Sequence, residues 1–338
     1  MGGSYRVHDD IGCIGPAERS LQEIALRTVI IGATGHIGTW LVPRLVRAGH
    51  DVVAVSRGMR RPYHDAVEWN SVQRVTIDRV LEEQDGTFAR SIARLHAEAV
   101  VDLTCFDPVS AMHLVQVLRD RVGAFVHCGT LWVHGTPATR PYDEKAPRHP
   151  FGDYGIRKAQ VERVLLDAAD GGFPAILLHP GHISGPGWLP INPAGHLDKG
   201  VFDALADGGR VTLVDDGMAT LQHVHADDVA QAFELALSHR DVAIGQAFHV
   251  AAAAPVTMRA YAEAVASWFG REAQLTYLPW EEWLLTVGER DAELTRDHML
   301  HSPCASIGKA RAMLGFEPRF TALAAVRDAL TPIYPSLA

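Results

Sequence analysis

Short apolar runs and amphipathic stretches alternate along most of this chain, and that alternation is the main structural signal. A β-branched run at Arg27-Thr-Val-Ile-Ile31 predicts a strand, and Thr39–Gly49 predicts a helix closed by a glycine. The pattern then predicts strands at Asp51–Ser56, Val72–Asp78, Ala99–Thr104, Ala124–Gly129 and Ala175–His179. Helices are expected between them at Thr87–His96, Pro108–Arg121 and from Tyr154 to Ala169. Short apolar strands alternating with helices indicate an α/β protein with a Rossmann-type, doubly wound parallel sheet.

The texture changes after Pro180. Gly185–Gly195 is rich in Gly and Pro and reads as irregular, and mixed elements follow, including a helix at Thr257–Gly270 and a strand at Gln274–Pro279. The expected organisation is therefore an N-terminal arm (1–26), a dinucleotide-binding domain (27–180) and a mainly substrate-binding lobe (181–338). Elements of that lobe are expected to return to the first domain. Within the arm, Pro16–Leu26 carries a short helical pattern.

Composition narrows the class. The 338 residues carry a formal charge of -9, which argues against a nucleic-acid partner. No apolar run approaches a membrane span, and no signal peptide is evident. Four cysteines without a close pair fit reduced thiols and a cytoplasmic setting.

The chemistry starts at Gly32-Ala-Thr-Gly-His-Ile-Gly38. Three glycines at this spacing, between a strand and a helix, permit a tight turn, a close approach of backbone to pyrophosphate, and close helix–strand packing. Free N–H groups at the helix start then receive phosphate. Gly32, Thr34, Gly35, His36, Ile37 and Gly38 are the expected cofactor contacts. An acidic residue ending the second strand would favour NAD(H), but Val55-Ser-Arg-Gly-Met-Arg-Arg61 has none. Arg57 can contact a 2′-phosphate, so NADP(H) is favoured and NAD(H) is the alternative. Asp78 is the candidate for the adenine edge and Thr104 for the inner ribose.

Tyr154 and Lys158, four apart at a helix start, share one face. A phenol is a proton shuttle near neutrality only where its environment favours transfer, and a nearby ammonium favours phenolate. Thr130 follows the fifth strand, at the sheet edge where open parallel sheets bind ligands.

The Gly32–Gly38 loop, Cys128-Gly-Thr-Leu-Trp-Val-His-Gly135, Tyr154-Gly-Ile-Arg-Lys158 and His179–Gly187 resemble the extended short-chain dehydrogenase/reductases, the NAD-dependent epimerase/dehydratase group. His223–Ala230, Ala247–Val250 and Ser306–Gly315 are similar as well. The resemblance covers roughly residues 27–330. It implies Tyr154 as acid/base, Lys158 as its tuning and ribose-holding partner, and Thr130 as the group that orients the reacting oxygen. It places Pro180, His182 and Ile183 near the cofactor. The substrate side is expected to include Trp132, His182, His196, Leu221 and His223, together with Thr130 and Tyr154. A homodimer packed through helices, one bearing Tyr154, is also implied.

Two departures bear on substrate. His182 stands where nucleotide-sugar members of the group usually carry Asn, and Leu221 where they tend to carry an Arg for the diphosphate. The leading expectation is hydride transfer at a secondary alcohol or ketone of a sugar-like or other hydroxylated small molecule. A nucleotide-sugar epimerase or dehydratase with tightly bound NAD(P), and a non-enzymatic NADP sensor, stand as alternatives. The His223/His225 alternation with Asp227 and Asp228 lacks a converging third ligand, so no metal is expected.

Overall fold

A computed structural model describes residues 25–338. The arm expected at residues 1–26, with its short helix, lies almost entirely outside the described residues. Six strands follow the expected order: β1 (Arg27–Ile31), β2 (Asp51–Ser56), β3 (Gln73–Thr76), β4 (Ala99–Asp102), β5 (Ala124–Cys128) and β6 (Ala175–Pro180). A seventh, Ala247–Val250, joins from the distal half of the chain. All seven are parallel, in the order Ala247–Val250, β6, β5, β4, β1, β2, β3.

Strand periodicity explains the two faces. Ile30, Ala54, Val101 and Val126 point into one buried cluster, and Val29, Val53, Val100 and Phe125 into another. Each face is covered by helices, so the strands read as continuous apolar runs. The helices between strands are α1 (Gly38–Arg47), α2 (Arg79–Gln84), α3 (Phe88–Ala93), α4 (Pro108–Leu118) and α5 (Gly152–Asp170). Asp107 caps α4 by accepting from the N–H groups of Val109 and Ser110, with Pro108 in the first turn. α2 was not expected from the pattern. It consumes the end of the predicted third strand, because Asp78 turns from strand to helix cap.

A separate core forms after Ala194 around Phe202, Leu213, Tyr261, Val265, Trp283 and Leu330. Three small two-stranded sheets lie in this half of the chain, each pairing segments distant in sequence. In one of them His182–Ser184 lies parallel to His223–His225. The chain therefore returns to the main sheet at Ala247–Val250 between stretches that build this second core. The helix Glu289–His301 is tied to it by the Thr295 hydroxyl, which donates to the Ala194 carbonyl at 2.9 Å.

Candidate functional site

The glycine loop forms the floor of a trough along the carboxyl ends of the strands. Gly32 has φ +86, and a Cβ there would meet the Thr104 methyl at 2.5 Å. At Gly38 a Cβ would lie 2.3 Å from the Ala33 carbonyl oxygen, so only glycine lets α1 start this close to the turn. Such a cradle fits a dinucleotide: backbone N–H groups at the start of α1 would hold the pyrophosphate.

One end of the trough, about 340 Å³, is lined by Gly32, Thr34, Gly35, Ser56, Arg57 and Thr104, among others. Arg57 and Arg60 both face it, and no carboxylate does among the described residues. Asp78, expected at the adenine edge, is not among the lining groups. Its carboxylate accepts from Val80 N at 3.0 Å and Leu81 N at 3.4 Å, and so caps α2. Its neighbours Ile77 and Arg79 take the wall instead. Sequence reasoning missed Arg79. Its guanidinium lies 2.8 Å from the buried carboxylate of Asp102 and 2.6 Å from Glu83, so its charge is already matched within the protein.

The other end widens to about 740 Å³. Thr130, Tyr154, Lys158, His36, Ile37, Trp132, Pro180, His182 and Ile183 all line it, as does Thr104 at the junction. The structure therefore brings the three expected catalytic groups into one cavity. Thr130 is nearly buried in extended backbone, and its hydroxyl accepts from Trp132 N at 3.3 Å to start a 3-10 turn, Leu131–His134. Tyr154 and Lys158 occupy the first two turns of α5. Between them Gly155 lets the helix approach the Trp132 carbonyl, which a Cβ would meet at 3.3 Å.

The Lys158 ammonium is buried and donates to the carbonyl oxygens of Cys105 at 2.8 Å and Cys128 at 2.7 Å. It also sits 4.3 Å from the centre of the Phe106 ring. Burial pushes its pKa down. Although 44% of Tyr154 is exposed, its side chain lines the cavity. Burial pushes the phenol up to about 12, Cys128 adds to the rise, and the adjacent Thr130 hydroxyl opposes it. Lys158 donates its hydrogen bonds to these two carbonyls and not to the phenol.

Trp132 forms the wall opposite. Its ring is edge-on to Tyr154 at 5.7 Å and stacks on His301 at 4.0 Å. His182 lies between His298 at 4.8 Å and His223 at 5.7 Å, and both its ring nitrogens lack a protein partner. Burial first, then the neighbouring His298, His223 and His301, drives its pKa well below the ordinary value, so the ring is neutral. Leu294, Asp297 and His298 from the helix Glu289–His301 complete this side. No pattern in the sequence marked that helix.

Three residues expected on the substrate side are not brought to it. Leu221 is fully buried in the second core. His223, in the next short strand, is buried with Nδ1 2.8 Å from the Ser184 hydroxyl. His196 is buried with Nδ1 3.1 Å from the Asn192 amide. Residues 221–225 are all buried and none lines the cavity. The corner at Asp227 and Asp228 is likewise structural: Asp228 accepts from Arg319 N and Phe320 N, and Asp227 pairs with Arg44.

The profile of the NAD dependent epimerase/dehydratase family matches residues 28–251. The chain is 32% identical to the 2′-dehydrokanamycin reductase of Streptomyces kanamyceticus over 267 residues, covering 78% of this chain and 72% of the relative. It is 28% identical to a UDP-glucose 4-epimerase of Mycolicibacterium smegmatis, covering 87% and 94%. In fold it is similar to the UDP-glucose 4-epimerase of Thermotoga maritima, with a TM-score of 0.68 at 18% identity, covering 92% and 100%.

Proposed function

The chain belongs to the NAD dependent epimerase/dehydratase family, and on that premise we propose that it is an NADP(H)-dependent reductase of a ketone on a hydroxylated, amine-bearing small molecule. Its relatives are reductases and epimerases of this type, and the chain is an NAD(P)-dependent oxidoreductase or epimerase. One observation carries the choice between them. Apart from Lys158 beneath the reacting position and Arg60 at the cofactor end, no cation lines the cavity among the described residues, and Asp297 is its one carboxylate. A nucleotide-sugar diphosphate requires a cationic grip, whereas a carboxylate attracts an ammonium. The relative named for 2′-dehydrokanamycin agrees with that preference.

Gly32, Gly35 and the start of α1 would hold the cofactor's pyrophosphate, Arg57 its 2′-phosphate, and Lys158 its nicotinamide ribose. When bound, the nicotinamide supplies the hydride. Tyr154 keeps its proton at neutral pH and donates it to the ketone oxygen, and Thr130 orients that oxygen. Trp132 and the apolar residues Trp188, Leu189 and Leu294 exclude water from the reacting position. His182, neutral and with unpartnered nitrogens, exchanges hydrogen bonds with substrate hydroxyls.

Exposed Val109 and Met112 on α4 and Ile156 on α5 favour a twofold dimer through these two helices. No described helix is long and apolar enough to cross a membrane. Free Cys105, Cys128 and Cys304 are in keeping with a reducing, cytoplasmic setting.

The deciding measurement is NADPH consumption over a panel of ketosugars and keto-aminosugars. Turnover of the amine-bearing members, lost in Tyr154→Phe, supports the reading. Interconversion of nucleotide-sugar epimers without net cofactor consumption would refute it.

A further inference from the structure

Behind the catalytic turn, three buried histidines converge from distant positions. His134 ends the 3-10 turn that carries Thr130 and Trp132. His179 lies in β6, and His249 sits beside it in the neighbouring strand, in register. One ring nitrogen from each lies within 4.8 Å of the others.

The hydrogen bonds fix the tautomers of two of them. His134 Nδ1 lies 3.2 Å from the Ala146 carbonyl oxygen and 3.4 Å from that of Pro147. His249 Nδ1 lies 3.2 Å from the Ser306 carbonyl oxygen. A carbonyl oxygen only accepts, so both Nδ1 atoms carry hydrogen, and a neutral ring then has a bare lone pair at Nε2. These two Nε2 atoms face each other at 2.9 Å. Two lone pairs repel, so a positive species belongs between them.

A shared proton and a metal ion both meet that need, and three further features favour the metal. Imidazoles that ligate metals donate their other N–H to a carbonyl or carboxylate, as both of these do. His179 is wholly buried with neither ring nitrogen partnered, which a proton shared by the other two leaves unexplained. Glu162 lies nearby with Oε2 buried, unpartnered and 3.6 Å from His179 Nε2, while Arg148 holds its other oxygen. That oxygen is placed either to complete the coordination or to accept from the third imidazole.

We propose that His134, His179 and His249 bind a divalent metal ion of the zinc class, with Glu162 supplying the adjacent negative charge. Imidazole nitrogen with carboxylate oxygen suits zinc, and a tetrahedral site would hold its nitrogens about 3.3 Å apart at bonds of about 2.0 Å. The observed pair needs only a few tenths of an ångström of spreading to reach this. The ion would pin the Thr130–Trp132 turn to the outermost pair of strands, giving it a positioning role and no part in proton or hydride transfer.

The test uses the full chain, free of any polyhistidine tag, produced in zinc-supplemented and in cobalt-supplemented medium. Elemental analysis after chelator dialysis should find about one metal ion per chain, because a buried site exchanges slowly. The cobalt protein should show the visible absorption of a four-coordinate nitrogen-ligated ion. His249→Gln should lower metal content about tenfold or more while NADPH still binds. Where that variant fails to fold, metal content and the cobalt spectrum of the unaltered chain decide alone. Less than about a tenth of an equivalent of either metal in folded protein overturns the proposal and leaves a shared proton between His134 and His249.

Discussion

The Lys158 ammonium lies 2.7 Å from the carbonyl oxygen of Cys128, at the tip of the strand that leads into Thr130. With the Cys105 carbonyl at 2.8 Å, this bond fastens α5 to the ends of β4 and β5. One side chain thus holds the sheet edge together from within the cavity that Thr130 and Tyr154 also line.

Lys158→Met should accordingly lower both activity and stability. Loss of the ammonium leaves two carbonyls short of a donor, a cost of about 1–3 kcal/mol for a buried acceptor. The turnover number should fall roughly 10²- to 10⁴-fold, as when a positioned proton-transfer system is disrupted. Thermal melting alongside steady-state kinetics checks both. A melting temperature unchanged from the parent would contradict the fastening role.

Arg57→Ala addresses the choice of cofactor. Removing a charge-assisted contact to a 2′-phosphate costs about 1.5–3 kcal/mol, so affinity for NADPH should drop roughly 10- to 100-fold while that for NADH stays level. Fluorescence titration with the two cofactors reads the ratio directly. Arg79 is no substitute, because Asp102 and Glu83 already engage its guanidinium.

Asp297→Asn should separate substrates by charge. The KM for an amine-bearing ketone should rise about tenfold, corresponding to about 1.4 kcal/mol, whereas a neutral hydroxyketone should be unaffected. Burial raises the pKa of the Asp297 carboxyl, so an ammonium beside it would bring that pKa back down. Equal changes in KM for both substrates would place Asp297 outside the recognition surface.

Acid should unfold this protein early. Burial holds His36, His298 and His301 at about 4 and His223 at about 3, all below the ordinary 6.5. Between those values the unfolded chain binds more protons than the folded one, so stability is complete above about pH 6.5 and declines as pH falls toward 4. Each such histidine contributes a slope of about 1.4 kcal/mol per pH unit inside the window. Urea melts at several pH values should give a slope matching several protons. A flat profile between pH 6.5 and 4.5 would show these rings to be charged when folded.

The parts that sequence made legible are those whose physics is local. Gly32 to Gly38 are neighbours on one turn, and Tyr154 and Lys158 share a helix face, so spacing alone places them. Strand alternation is local too, and six of the seven parallel strands followed from it. The unread parts depend on long-range convergence. Asp297 and His298 reach the cavity from a polar helix with no motif, and His134, His179 and His249 are scattered over three elements without ligand spacing. The family resemblance places Leu221 and His223 on the substrate side, but in this chain both side chains are wholly buried, away from the cavity. Asp78 misled for a different reason: the same carboxylate that could meet an adenine serves equally well as a helix cap.

The helix Glu289–His301 contributes Leu294, Asp297 and His298 to the cavity, yet every residue lining the adenine end precedes Asp107. On the proposed function, this helix's contribution to the substrate side is separate in sequence from the groups at the adenine end. Grafting the equivalent helix from a relative, with Thr295 and its bond to Ala194 retained, offers a compact way to retarget the enzyme while its cofactor machinery stays intact.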